Sequence, residues 1–448
     1  MKQYWWLYKG FEIRQNELGQ NKVFFKDYPV DLESIARDNP TPVYVYNGER
    51  IEEKVAIARR AFATYYDGDV AINFAMKAGH VPHVVRLLGQ VGCGIDAASP
   101  NEARLGLRLG IPAEKVMFTG TSVSNTDIKE LVSMGVRINI DSFSQLRRLV
   151  DLAERGELSC PPLPLSVRLN PDVGAITGQD FITAGARNAQ GVPIKFGIEP
   201  KKILEVFEYA QENGLLVDTL HFHIGSGWLG TGMEAFRQAL CNGLRVYRRL
   251  LEAGFPLTRL DVGGGPGVRM EEKSESFPWD EYAKVIDVSL KEANIKLEFL
   301  ILEPGGSLVS DACVLLTTVN TVEKKYGIEH VFVDSGMGTF PSIRLDHRWC
   351  EFVNASHPDG VVKEYAVDGN VCETGDTFTY NKLRPLPEVR EGDVLAFLDT
   401  GGYSLAQSFN YCLRGRANVV LREGNHLIVC TRGVESLDEV MSRFTPVQ

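Results

Sequence analysis

Lys77 closes a β-prone apolar run, "AINFAM", and precedes small residues and a helical pattern. Burying an ammonium is costly unless it is paired or neutralised. A lysine at the tip of an apolar strand therefore either reaches solvent or takes part in chemistry. Other residues able to take part in chemistry close similar short runs. They are Asp96 and Ser99 in "GIDAAS", Arg168 in "LSVRLN", His221, His223 and Ser226 in "TLHFHIGS", Gly263-Gly264-Gly265 in "RLDVGGG", and Glu303 in "FLILEPG".

Each of these residues also has an ordinary use. A lysine can bend out to solvent, two histidines two apart can serve a core, three glycines can make a tight turn, and a carboxylate can cap a turn. Taken together they match the needs of one cofactor. Pyridoxal phosphate requires an amine to form a Schiff base, a carboxylate to keep its pyridine nitrogen protonated, an anion cradle and a flat side chain against its ring. Lys77, Glu303, Gly263 to Gly265 and His223 supply these in turn. Consecutive glycines after a strand can leave backbone N–H groups free for a phosphate. The His221-x-His223 pair alone would also suit zinc in a barrel hydrolase. That class needs further histidines at later strand tips, and His330, His347, His357 and His426 all lie beyond them.

The elements that would carry these residues alternate regularly from about residue 43 to residue 305. Between the β-branched runs lie amphipathic helical patterns such as "PNEARLGLRLG", "SNTDIKELVSMG" and "SFSQLRRLVDLAERG". Such alternation means parallel strands joined by crossover helices, and eight units close into a (β/α)8 barrel. The polar residues at the run ends then gather at the C-terminal face, where barrel active sites form. Counting "VYVYN" (43–47), "VMFTG" and "RINID", there are nine runs, so we place "VYVYN" outside the barrel. After residue 305 the pattern becomes strands and turns with little helix. The expected architecture is α/β plus β. Residues 45–310 form the cofactor-binding barrel, 311–448 a C-terminal β-rich domain of sandwich or barrel-like form, and 1–44 a segment joining that β domain. The loop 172–193 is long and rich in glycine and alanine, which suggests a mobile or substrate-facing segment.

The bulk numbers exclude several classes. The chain has 448 residues and a net charge of −10. It has no Lys/Arg block, which argues against nucleic acid and an anionic membrane surface. No segment reads as a signal peptide or as long enough to span a membrane. The eight cysteines are scattered without a CxxC pair, which suggests reduced thiols and a cytoplasmic protein.

The motifs in order resemble those of the fold type III, or alanine-racemase-fold, pyridoxal phosphate decarboxylases, most closely the diaminopimelate decarboxylase branch. The resemblance covers nearly the whole chain. "FAMKAGHVPHVVRLL" is similar to the family's lysine motif and implies the Schiff base on Lys77. "GIDAASPNEARL" places Asp96 near the ring, "VRLNPDV" carries Arg168, and "IKFGI" matches a further family segment. "HFHIGSG" implies His223 as the stacking residue and Ser226 at the phosphate. "LDVGGGPG" matches the glycine loop and "LEPGG" the pyridine-nitrogen glutamate, Glu303. In the β domain, "GNVCETGD" resembles a family segment that reaches across a homodimer interface. It implies Cys372 as the acid that protonates Cα, and Glu373 as a substrate contact. "GGYSLAQSFNYC" places Tyr403 by the phosphate and the substrate.

Three departures bear on the substrate. The family's Glu-Pro-Gly-Arg reads Glu303-Pro304-Gly305-Gly306, so an arginine is missing. The segment "DSGMGTFPSIRLDHRW" offers Arg344 and Arg348 as rival candidates for the distal clamp. The loop 172–193 lacks the family's usual histidine and is longer. The resemblance thus implies an amino-acid decarboxylase, converting meso-diaminopimelate to L-lysine and carbon dioxide. The altered pocket leaves room for ornithine or lysine, of either hand, or for an amino-acid conjugate such as a siderophore precursor. Racemisation on the same fold is a remoter reading, because "VCETGD" is a decarboxylase feature. No metal is expected.

Overall fold

The computed structural model describes residues 4–175, 182–188, 190–346, 348–380 and 382–445. The chain divides into two compact units. One comprises Met1–Glu53, Met270–Ser274 and Val309–Gln448, and the other Lys54–Arg269 and Glu275–Leu308.

Strands β1 (Phe11–Gln15), β2 (Asn21–Phe25) and β3 (Val43–Asn47) belong to the first unit. The second unit contains β4 (Asp69–Ala75), β5 (Gly94–Ala97), β6 (Val116–Thr119), β7 (Arg137–Ile140), β8 (Leu165–Arg168), β9 (Val217–His221), β10 (Arg259–Asp261) and β11 (Phe299–Leu302). These eight pair in parallel and in chain order, and β11 pairs with β4 to close the barrel. Parallel strands are covered on both faces, so their sequences can run apolar without alternation. Accordingly β5 and β7 are buried at every position. Serines start several crossover helices, since a hydroxyl can accept from an otherwise unpaired N–H of the first turn. Ser99 does this for Pro100–Arg108, with its Oγ 3.2 Å from the Glu102 nitrogen. Ser99 thereby has a local structural task.

The first unit continues with β12 (Cys313–Lys325), β13 (Ile328–Val333), β14 (Phe352–Asn354), β15 (Val362–Asp368), β16 (Arg384–Pro387), β17 (Val394–Phe397), β18 (Asn418–Glu423) and β19 (His426–Val429). Its main sheet runs β16-β15-β13-β12-β3-β18-β19, with β17 pairing both β12 and β14. The run "VYVYN" is thus an interior strand here, antiparallel to β12 and parallel to β18. Its β-branched and aromatic residues are buried throughout, as a central strand demands. Trp6, Phe11, Phe25, Tyr28 and Leu32 from the N-terminal segment pack in one core with Val43, Val314, Leu316 and Val420.

Two buried ion pairs brace this unit. Lys9 Nζ lies 2.7 and 2.6 Å from the two carboxylate oxygens of Asp399, and Arg50 Nη2 lies 2.7 Å from Asp311 Oδ2. Among the described residues no helix is long and apolar enough to cross a membrane.

Candidate active site

At the C-terminal face of the barrel, β4 ends at Ala75 and the chain makes a 3₁₀ turn, Met76–Ala78. This turn exposes Lys77 while its neighbours Met76 and Ala78 stay buried. The Ala75 N–H donates to the Pro304 carbonyl at 3.2 Å. That bond ties the start of the lysine turn to the residue after Glu303. The positive charge of Lys77 acts on Asp96, His223 and Glu303, so all four share one environment.

Glu303 lies at the centre of a buried polar network. Its Oε2 is 3.2 Å from His221 Nε2, and His221 Nδ1 is 2.9 Å from the Asn139 amide nitrogen. The same amide nitrogen lies 3.3 Å from Thr119 Oγ1, which in turn bonds Asp96. An amide N–H donated to Nδ1 fixes the His221 proton on Nε2, where it is donated to Glu303. Burial holds His221 below its ordinary pKa, so the pair is a neutral imidazole donating to a carboxylate. Burial alone would raise Glu303, but His221, Lys77 and Arg168 outweigh it and hold the group below the usual carboxylate range. The two neighbouring carboxyls go the other way. Burial, then the charge of Glu303, push Asp96 up to about 8 and Asp261 well above its ordinary value. Of three buried carboxyls, Glu303 carries the negative charge.

His223 is buried, and its Nδ1 accepts the Gly264 N–H at 3.1 Å. Burial, reinforced by Lys77, Arg168 and His221, holds it well below the ordinary pKa. It therefore presents a flat, neutral ring. The glycine loop differs from the sequence expectation in one respect. The Gly263 N–H is engaged by Asp261 Oδ1 at 2.8 Å and that of Gly264 by His223 Nδ1 at 3.1 Å, so two of the three N–H groups are already committed to side chains among the described residues. Gly264 is required by close approach, because a Cβ there would sit 2.1 Å from the Glu303 carbonyl oxygen. Gly264→Ala must displace either the loop or Glu303. We expect cofactor affinity to fall by at least ~10-fold, as read by titration of the protein with pyridoxal phosphate.

Ser226 is half-buried in the segment that follows β9. That segment abuts the glycine loop, since Trp228 N–H donates to the Gly265 carbonyl at 3.2 Å. Arg168 is buried, 3.3 Å from Asp141 and stacked over Phe196, whose ring centroid is 4.6 Å from its guanidinium carbon. Asp141 also accepts the Gly197 N–H at 3.1 Å, which folds "IKFGI" against Arg168. Of the loop 172–193, residues 176–181 and 189 lie outside the described residues. The parts on either side are anchored by Asn170 and by Thr183, whose hydroxyl donates to the His223 carbonyl at 2.8 Å.

The remaining predicted residues lie in the other unit. Asp376 accepts from Met337 N–H and Val371 N–H, at 2.5 and 2.6 Å, and so joins "DSGM" to the turn that carries Cys372 and Glu373. Both of these side chains are exposed. Arg344 is exposed beside them; a Cβ on Gly375 would lie 2.8 Å from Glu373 Oε2 and 3.1 Å from Arg344 Cζ. Arg348 has a different task. Its guanidinium donates to the carbonyls of Gly402 and Asp399, at 2.5 and 2.6 Å. With Ser342, whose hydroxyl donates to the Tyr403 carbonyl at 2.9 Å, it holds a turn in which Asp399 and Tyr403 have φ of 61° and 57°. His347 lies outside the described residues.

Asn139, Asp141, Thr119 and Asp261 were not singled out by sequence reasoning. The available signal was a polar residue at the end of a run otherwise buried, as in "RINID" and "RLD".

The barrel residues fit pyridoxal phosphate. Glu303 Oε1 and Asp96 Oδ1 are buried without a donor among the described residues, as carboxyls awaiting a ring N–H and ring substituents would be. His221, Asp261 and Glu303 also bring donor atoms within 4.8 Å of one another, but both nitrogens of His221 already have protein partners.

Comparison with known proteins agrees. Residues 49–310 match the model of the pyridoxal-dependent decarboxylases, pyridoxal binding domain. A diaminopimelate decarboxylase of Methanothermobacter thermautotrophicus is 35% identical over 409 residues, covering 90% of this chain and 91% of that protein. One from Aquifex aeolicus is 31% identical, covering 92% and 93%. The crystal structure of the Helicobacter pylori diaminopimelate decarboxylase complexed with L-lysine superposes with a TM-score of 0.82 at 27% identity, covering 92% of this chain and 98% of that one. A closed barrel with an ionised carboxylate, a neutral imidazole and a lysine at one face, and these relatives over nearly its full length, place the chain in the family of pyridoxal-dependent decarboxylases.

Proposed function

We propose that this chain uses pyridoxal 5′-phosphate to decarboxylate meso-diaminopimelate to L-lysine. The observation that carries the reading is Glu303, buried yet held ionised among His221, Lys77 and Arg168. When bound, the cofactor supplies an aldehyde for the substrate's amine and a ring that takes up the electron pair left as carbon dioxide departs. Lys77 is the residue that holds it covalently. Glu303 keeps the ring nitrogen protonated, His223 lies flat against the ring, and Asp96 and Arg168 line its edge. Ser226 and Gly265 bind the phosphate. Burial of Asp96, Arg168, His223 and Glu303 keeps water from that side of the site and strengthens the interactions they make.

Cys372 returns a proton to Cα, and Glu373 contacts the substrate. By the resemblance to the family, each copy in a homodimer lends these two residues to the other's barrel. Of the two arginine candidates, Arg344 is the distal clamp, because it lies exposed beside Glu373 while Arg348 holds backbone carbonyls. Arg344→Ala is expected to raise KM for a dicarboxylate substrate by ~10- to 100-fold with a smaller change in kcat, as loss of one charged contact implies. Steady-state kinetics checks this. We place the enzyme in the cytoplasm.

The deciding experiment supplies meso-diaminopimelate to the cofactor-loaded protein and follows carbon dioxide and lysine. Conversion supports the reading. Gly306, standing where by the resemblance the family's motif has arginine, gives the second reading its basis. No turnover of meso-diaminopimelate, with turnover of ornithine, lysine or a citryl conjugate, would replace the substrate and keep the reaction.

A further inference from the structure

Glu303 is faced by charged or titratable groups from five elements: Lys77 after β4, Asp96 on β5, Arg168 on β8, His221 on β9 and Asp261 on β10. Two of these touch its carboxylate. His221 donates to Oε2 at 3.2 Å and is itself locked by Asn139 at 2.9 Å. Asp261 lies within hydrogen-bond reach of Glu303. Its Oδ1 already accepts the Gly263 N–H at 2.8 Å, while Oδ2 is buried with no donor among the described residues. Two buried carboxyls in contact are stable only with a proton between them.

We propose that His221 and Asp261 are positioning residues for the decarboxylation, His221 donating its Nε2 proton to Glu303 and Asp261 standing protonated to donate a second. The two donors hold Glu303 as an anion in one orientation, with its remaining lone pairs directed to the ring nitrogen. Asp261 thereby links the glycine loop, through Gly263, to the carboxylate that sets the electron sink. Burial supports this assignment of the protons, since it favours the neutral forms of both His221 and Asp261. The inference rests on the function proposed above only for the identity of the cofactor.

The test compares wild type with Asp261→Asn, Asp261→Leu and His221→Leu, each full-length. Asparagine keeps a donor toward Glu303 and an acceptor for Gly263 but holds no exchangeable carboxyl proton. Before cofactor is added, infrared absorption of protonated carboxyls should fall in Asp261→Asn and be unchanged in His221→Leu. After loading with pyridoxal phosphate labelled with nitrogen-15 in the ring, wild type and Asp261→Asn should both show a protonated ring nitrogen, and the two leucine variants should not. His221→Leu should also lose ~10- to 100-fold in kcat with KM within about twofold. Removing its donor raises the Glu303 pKa, so the acid limb of the kcat profile should move to higher pH, by about one unit.

A protonated ring nitrogen retained in His221→Leu would overturn the role of His221. Asp261→Asn behaving like Asp261→Leu would show that Asp261 works as an anion and overturn its role. Failure of wild type to bind the cofactor would defeat the functional reading alone. In that case the infrared difference in Asp261→Asn would still decide whether Asp261 holds the proton.

Discussion

Replacing Lys77 by alanine should abolish covalent attachment of the cofactor and reduce turnover on the order of 10³-fold or more, equivalent to ~4 kcal/mol of barrier. Lys77 is exposed on a turn between buried neighbours, so the substitution removes an amine without opening a cavity. Folding should be unaffected, because exposed positions without special backbone geometry change stability little. Borohydride reduction followed by peptide mass analysis reads the attachment directly. Wild type should carry the label on the peptide spanning 74–88, and the variant none. A label that persists in Lys77→Ala would move the attachment to another lysine. Residual binding without attachment is expected, because His223, Ser226 and the glycine loop do not depend on the amine.

The largest stability effect should come from Lys9, far from the chemistry. The residue is 1% exposed, and its ammonium lies against both oxygens of Asp399 and 4.6 Å from the centroid of the Trp5 ring. Lys9→Met leaves a buried carboxylate without this partner, at a cost of ~3–5 kcal/mol. At about 2–4 °C per kcal/mol for a unit of this size, the melting transition of the β-rich unit should drop by ~6–20 °C. Pairing the change with Asp399→Leu should recover most of the loss, since two apolar groups leave no unpaired charge. Thermal scans of the single and double variants decide the matter. Equal destabilisation by Lys9→Met and by the double variant would mean that packing, not charge, carries the effect.

The barrel was legible because each of its strands is a short buried run closed by a turn or polar residue, and the spacing between runs accommodates a crossover helix. The N-terminal segment was harder. "VYVYN" reads like any barrel strand, and only the excess of one run set it apart. Its neighbours, β12 and β18, are non-local, and no local pattern specifies them. Within the site, Lys77, His223, Glu303 and the glycines were singled out because contiguous motifs carry them. The network around Glu303 was not, because register between distant segments assembles it. Thr119 meets Asn139 across β6 and β7, and Asp261 meets His221 across β9 and β10. The glycine N–H groups were over-read for a related reason, since the side chains that occupy two of them come from Asp261 and His223. Arg344 and Arg348 were indistinguishable by counting along the chain. What separates them is that the Asp399 and Gly402 carbonyls lie within reach of only one guanidinium.

The interior place of β3 has a consequence for the order in which the protein can be made. Its strand neighbours begin at Cys313 and Asn418, so a ribosome completes the whole barrel before either emerges. Throughout that interval β3 is a strongly β-prone segment with two unsatisfied edges, the kind of surface that recruits other chains. The barrel can close meanwhile, because all eight of its strands lie between residues 69 and 302. The β-rich unit must wait for the last tenth of the chain. Translation speed and chaperone occupancy near the N-terminus should therefore govern the yield of soluble protein more than the stability of the finished fold does.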